Sequence, residues 1–124
     1  MQVLIVDDSQ MVRNAVARIF GNEGFQQTFL AKDGEEAVEI FLREQIDFVT
    51  LDITMPEMDG LQCVRKLVQL KPQVPILVIS SLEDSVTAVE MIKRGAKGFL
   101  TKPFTDKELV EAIHEVLAYG KGTL

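Results

Sequence analysis

Short runs of apolar, largely β-branched residues alternate along the chain with longer segments in which apolar positions recur every three or four residues. The runs are Val3 to Val6, Phe25 to Ala31, Phe48 to Leu51, Ile76 to Ile79 and Gly98 to Thr101, each of strand length and too short for a helix. Four of them are mostly apolar, the pattern of strands covered on both faces. The second contains Gln26, Gln27 and Thr28 and is expected at a sheet edge. The intervening segments predict five amphipathic helices. Their stripes are Val12, Ala15, Val16 and Ile19, then Ala37, Val38 and Phe41, then Leu61, Val64, Leu67 and Val68. The fourth is Val86, Val89 and Ile92, and the fifth Leu109, Ile113, Val116 and Leu117. Asp33 with Glu36 reads as a capping box and Ser81 with Asp84 as a weaker one, while Gly95 after Lys93 and Arg94 reads as a helix stop. Five strand-helix units in succession predict an α/β fold around a parallel sheet, with right-handed crossovers.

The 124 residues suffice for one domain and exclude a second large one. With 19 acidic and 13 basic residues the net charge is −6, a field that repels nucleic acid and anionic lipid. The single cysteine, Cys63, has no internal disulfide partner and reads as a packing residue beside the third stripe. The most apolar stretch, Val74 to Ile79, falls far short of the roughly 20 residues needed to span a bilayer. A cytoplasmic protein without membrane attachment of its own is the simplest expectation. One domain over residues 1–119 is expected, followed by a tail over residues 120–124.

The candidate chemistry collects at strand ends. The first strand ends in Asp7 and Asp8, the third in Asp52, the fourth in Ser80 and Ser81, and the fifth in Lys102 before Pro103. In open sheets of this class, ligands bind outside the carboxyl ends of the strands, in the crevice where the winding direction reverses. The strand order 2-1-3-4-5, carried over from flavodoxin-like doubly wound folds, puts that crevice beside Asp52. Three carboxylates crowded there repel one another, a repulsion that a bound cation relieves. Oxygen-only ligation favours Mg²⁺, with Mn²⁺ as its substitute. A carboxylate can also act as a nucleophile toward phosphorus while cation, ammonium and hydroxyl share the charge on the transferring oxygens.

VLIVDD near the start, DITMPEMDG around Asp52, the strand end Ile79-Ser80-Ser81, and GAKGFLTKPF together resemble a response-regulator receiver domain, over essentially the whole chain. The resemblance implies that Asp52 is the phosphoacceptor, taking its phosphoryl group from the phosphohistidine of a histidine kinase. Asp8, Asp52 and the backbone carbonyl of Thr54 would bind Mg²⁺, and Asp7 would hold metal-bound water. Lys102 would pair with the phosphate and Ser80 would hydrogen-bond it and shift inward. Phe99 matches the switch aromatic, here without the hydroxyl a tyrosine would carry. Thr54 and Leu82 would tune phosphate lifetime; because Leu82 cannot orient a hydrolytic water, slow self-dephosphorylation is expected. The Lys102–Pro103 bond is implied to be cis. The output face would be the fourth helix, fifth strand and fifth helix, and it would bind a downstream target protein or effector domain.

The expected protein is therefore a two-component signalling switch rather than an enzyme, catalysing only its own phosphorylation and dephosphorylation. A chemotaxis-type stand-alone receiver, monomeric when unphosphorylated, is preferred over the receiver part of a longer regulator. The alternative is a Mg²⁺-dependent phosphohydrolase of the haloacid dehalogenase type. It fits poorly, since that family places two aspartates two apart after its first strand, whereas Asp7 and Asp8 are adjacent. Each residue also has an ordinary reading. Asp7 and Asp8 could cap the following helix, Ser80 could satisfy a turn, and His114, beside Glu111 and Glu115, could be a solvated pair.

Overall fold

The computed structural model describes residues 1–53, 60–81 and 85–120. The first strand, β1 (Gln2–Val6), leads into α1 (Gln10–Asn22), and the alternation continues through β2 (Gln27–Ala31), α2 (Gly34–Arg43), β3 (Phe48–Asp52) and α3 (Gly60–Leu70). The second half comprises β4 (Ile76–Ser80), α4 (Ser85–Lys93), β5 (Gly98–Thr101) and α5 (Asp106–Gly120). All strand pairings are parallel, in the order β2-β1-β3-β4-β5. This is the flavodoxin-like doubly wound arrangement that the sequence led us to expect.

Alternation along the central strands sends side chains to two cores. Leu4, Val6, Val49, Leu51, Ile76 and Val78 meet Ala37, Ile40, Val64, Leu67 and Met91 from α2, α3 and α4. Val3, Ile5, Phe48 and Leu77 meet Val16, Ile19, Phe20, Leu109, Ile113 and Val116 from α1 and α5. At the amino ends of the strands Phe20, Phe25 and Phe48 pack edge to face, with ring centroids 4.9 to 5.9 Å apart. Such pairs contribute about 0.5–1.5 kcal/mol each beyond their buried area.

Several local expectations are corrected. The second strand begins at Gln27 rather than Phe25, because Gly24 turns the chain at φ 91° and Phe25 plugs the aromatic cluster. Two members of the fourth stripe are not buried: Val89 and Ile92 are exposed, and among the described side chains of α4 Met91 is the buried one. The side chain of Val86 lies outside the described residues. Ala15 is exposed too, since Phe20 fills the α1 contact. β5 is the sheet edge opposite β2; its Leu100 packs with the core of α1 and α5, while Phe99 is left 44% exposed. Helix α5 includes Gly120, the first residue of the expected tail.

Capping chemistry sets the helix starts. Asp33 caps α2, accepting from the Glu36 amide at 2.8 Å, while Glu36 reaches back to the Lys32 amide at 3.0 Å. Ser9 caps α1 by accepting from Val12, so neither Asp7 nor Asp8 is needed for that task. Asp84 lies outside the described residues. Gly95, at φ 123°, closes α4 against Val68 of α3, where a β-carbon would approach within 2.8 Å.

Candidate functional site

Pleat alternation, continued past the strand ends, carries the chemistry onto the sheet edge. Asp7 follows Val3 and Ile5, and Asp52 follows Phe48 and Thr50, so both carboxylates face the side covered by α1 and α5. Val6 pairs with Leu51, which puts Asp7 and Asp52 side by side on adjacent strands. β1 lies between β2 and β3 in the sheet, so the crossovers on its two sides wind in opposite directions and open a crevice at these two residues. One carboxylate oxygen from each of Asp7, Asp8 and Asp52 lies within 4.8 Å of the others.

Lys102 closes the group from the far edge. Its amide donates to the Ser80 carbonyl at 2.7 Å and its bond to Pro103 is cis, as the resemblance implied. From there Nζ reaches back across β4 to Asp52 Oδ2 at 2.9 Å and Asp7 Oδ2 at 3.5 Å. Asp52 is 1% exposed and Asp7 2%, whereas Asp8 opens to solvent. Burial pulls the Lys102 ammonium down, but the hydrogen bond and charge of Asp52, joined by Asp7, outweigh it and hold the group above its ordinary value. Burial pushes the Asp7 carboxyl up. The Ser9 amide, which donates to Oδ1 at 2.9 Å, and Lys102 pull the other way, while the Asp52 charge adds to the rise.

The group is under-satisfied in a way that suits a hard cation. One ammonium faces three carboxylates, and Asp7 Oδ2 is buried with no hydrogen-bond partner. An all-oxygen donor set with an orphan oxygen fits a divalent ion of the Mg²⁺ class. Ser80 Oγ is also buried and unpartnered, and strand alternation directs it to the face covered by α3 and α4. The structure thus brings Asp7, Asp8, Asp52 and Lys102 into one group and sets Ser80 at the neighbouring strand end, bonded to Lys102 through the backbone alone. Phe99, on the outer strand, is exposed. Thr54 and Leu82 lie outside the described residues.

His114 does not pair with Glu111 or Glu115. Its Nε2 lies 2.7 Å from Oε1 of Glu23, which caps the far end of α1. Sequence reasoning missed two residues that shape the site, Ser9 and Arg13. The Ser9 signal was present, a serine directly before a helical stripe. Arg13, whose guanidinium donates to the Asp7 carbonyl, had none.

A response regulator receiver domain family model matches residues 3–114. The chain belongs to the response regulator receiver domain family. The chemotaxis protein CheY of Thermotoga maritima is 38% identical over 93% of this chain and 96% of its own length. CheY of Bacillus subtilis is 36% identical over 94% and 97%. Among solved structures, NtrX of Brucella abortus superposes with a TM-score of 0.89 at 31% identity over 97% of this chain, which spans 27% of NtrX. As a receiver domain the protein is a phosphoacceptor switch of two-component signalling, whose partners are a histidine kinase and a downstream effector. The phosphohydrolase alternative finds no support. Among the described residues no helix is long and apolar enough to cross a membrane.

Proposed function

We propose that Asp52 takes a phosphoryl group from the phosphohistidine of a histidine kinase, in the presence of Mg²⁺, and that this aspartyl phosphate resets the surface around α4, β5 and α5 for a protein target. One observation carries the reading: a buried carboxylate at the topological switch point, gripped by Lys102 at 2.9 Å and flanked by two further carboxylates.

A carboxylate oxygen of Asp52 attacks phosphorus as the phosphohistidine N–P bond breaks, and the bond's electron pair stays on the imidazole nitrogen. Lys102 exchanges its carboxylate partner for a phosphoryl oxygen with little movement. Ser80, whose hydroxyl is buried without a partner, gains one by turning toward that phosphate, and the space it leaves takes the Phe99 ring. Phe99 then signals by packing alone. Asp8 and Asp52, with the Thr54 carbonyl, would hold Mg²⁺, and Asp7 would orient its water; Mn²⁺ suits the same oxygen donors. The ion, when bound, offsets carboxylate repulsion and shares the charge of the transferring oxygens. Thr54 and Leu82 tune hydrolysis of the phosphate. With no polar group at Leu82 to orient water, the aspartyl phosphate decays slowly, and Leu82→Glu is expected to hasten its loss.

We read residues 1–119 as the receiver domain and residues 120–124 as a tail. The chemotaxis relatives and the charge of −6 support a cytoplasmic protein that acts by direct protein contact, monomeric before phosphorylation and without nucleic-acid binding.

Incubation with acetyl phosphate, with and without Mg²⁺, followed by intact mass measurement beside Asp52→Ala, tests the reading. An adduct of one phosphoryl group that needs both Mg²⁺ and Asp52 is expected. An adduct that persists in Asp52→Ala would overturn the assignment of the phosphoacceptor.

A further inference from the structure

Arg13, in the first turn of α1, folds back and donates from Nη1 to the backbone carbonyl of Asp7. Its side chain is half-buried. Three of the four polar atoms of Asp7 are thereby tied down: its amide donates to Ala31 O at 3.0 Å, its carbonyl is held by Arg13, and Oδ1 accepts from the Ser9 amide at 2.9 Å. Only Oδ2, on the Lys102 side, lacks a hydrogen bond.

The peptide that Arg13 grips also contains the amide nitrogen of Asp8, so its plane sets the direction in which Asp8 leaves the strand. Asp8 is exposed and has little packing to fix its side chain, yet its carboxylate stands within 4.8 Å of those of Asp7 and Asp52. Its placement comes from the backbone. A charge-assisted hydrogen bond to that carbonyl is the strongest local restraint on the plane. We propose that Arg13 is a positioning residue of the cation site, holding the Asp7–Asp8 peptide so that the Asp8 carboxylate completes the group.

This inference rests on the reading of the three carboxylates as a divalent-cation site. The charge and the grip of Arg13 act in opposite directions. A fixed positive charge beside the site repels an incoming cation, so neutralising Arg13 tightens binding if charge alone counts. Loss of the grip lets Asp8 swing away and weakens binding. The sign of the change therefore separates the two.

Mg²⁺ titrated calorimetrically into wild type, Arg13→Met and Arg13→Lys provides the test, with the urea midpoint of each metal-free protein as a check on folding. Arg13→Met is expected to weaken Mg²⁺ binding roughly tenfold, the scale seen when an outer partner of a metal ligand is removed. Arg13→Lys should recover part of that loss, because an ammonium can still reach the carbonyl. The rate of acetyl phosphate labelling in Arg13→Met should need more Mg²⁺ but approach the wild-type value at saturation. Unchanged or tighter Mg²⁺ binding by a folded Arg13→Met overturns the proposal. If Arg13→Met does not fold, Arg13→Lys decides: Mg²⁺ binding weaker than wild type at an unchanged midpoint supports the proposal, and equal binding overturns it. Failure of the wild type to bind Mg²⁺ overturns the functional reading itself, whereas wild-type binding matched by Arg13→Met removes only the role of Arg13.

Discussion

Thr50 places a hydroxyl in the middle of β3, in register with Ile5 on one side and Leu77 on the other, buried and without a hydrogen-bond partner. Such a group costs about 1–3 kcal/mol relative to an apolar group of the same shape. Thr50→Val is therefore expected to raise the unfolding free energy by about 1 kcal/mol in urea titration, and a lower value would show that the hydroxyl is satisfied. Asp7 gives a pH prediction. Its folded carboxyl titrates above the unfolded value of 3.8, so the folded metal-free protein binds that proton more tightly than the unfolded chain. The resulting stability is present in full below 3.8 and is lost as pH rises through the higher folded value. Asp7→Asn should consequently be more stable than wild type at neutral pH without metal, and the difference in urea midpoints should shrink on acidification toward pH 4. The four charged members of the site were legible in the sequence because each ends a strand, where an apolar run stops at an ionisable residue. Thr50 and Arg13 were not. A hydroxyl among β-branched residues looks like strand propensity, and a helix arginine looks like surface until the backbone shows what it grips.

At the scale of elements, two glycines hold α4 in place. Gly60, the first residue of α3, lies where a β-carbon would meet Met91 Cε at 2.5 Å and Ile53 Cγ2 at 2.9 Å. Gly95 combines φ 123° with a β-carbon position 2.8 Å from Val68. Gly95→Ala faces both backbone strain and overpacking, so a loss of at least about 2 kcal/mol is expected in chemical denaturation. Gly60→Ala meets Ile53 as well as the flexible end of Met91 but carries no positive-φ strain, so it should cost less, with Met91→Ala relieving only the methionine part of the damage in the double variant. The succession of elements was readable because strands and helices differ in hydrophobic period. What period alone could not supply was the burial of each face. The residues Val89 and Ile92 have the right spacing for a core stripe, but α4 lies beside the edge of the sheet, and among its described side chains Met91 is the one buried in the core shared with α2 and α3. Phe25 misled for a related reason, since an aromatic next to a strand can plug the end of a core as readily as it can join the ladder.

For the molecule as a whole, cation binding and folding should be coupled. Mg²⁺ at a hundred times its dissociation constant adds about 2.7 kcal/mol to the unfolding free energy. A Mg²⁺-dependent rise in Tm that disappears in Asp52→Asn is expected by scanning calorimetry. Light scattering on the unphosphorylated protein should give the mass of one chain across the concentration range, and a rising mass would overturn the monomer. The two ends of the sheet are built differently. Three interlocked phenyl rings close the amino end, while the carboxyl end collects Asp7 and Ser80 with buried polar atoms that lack a hydrogen-bond partner. Deuterium uptake should then follow a gradient along each central strand, slowest beside Phe48 and fastest next to Asp52. A scaffold graded in this way lets one pole rearrange around a new phosphate while the opposite pole keeps the register of all five strands.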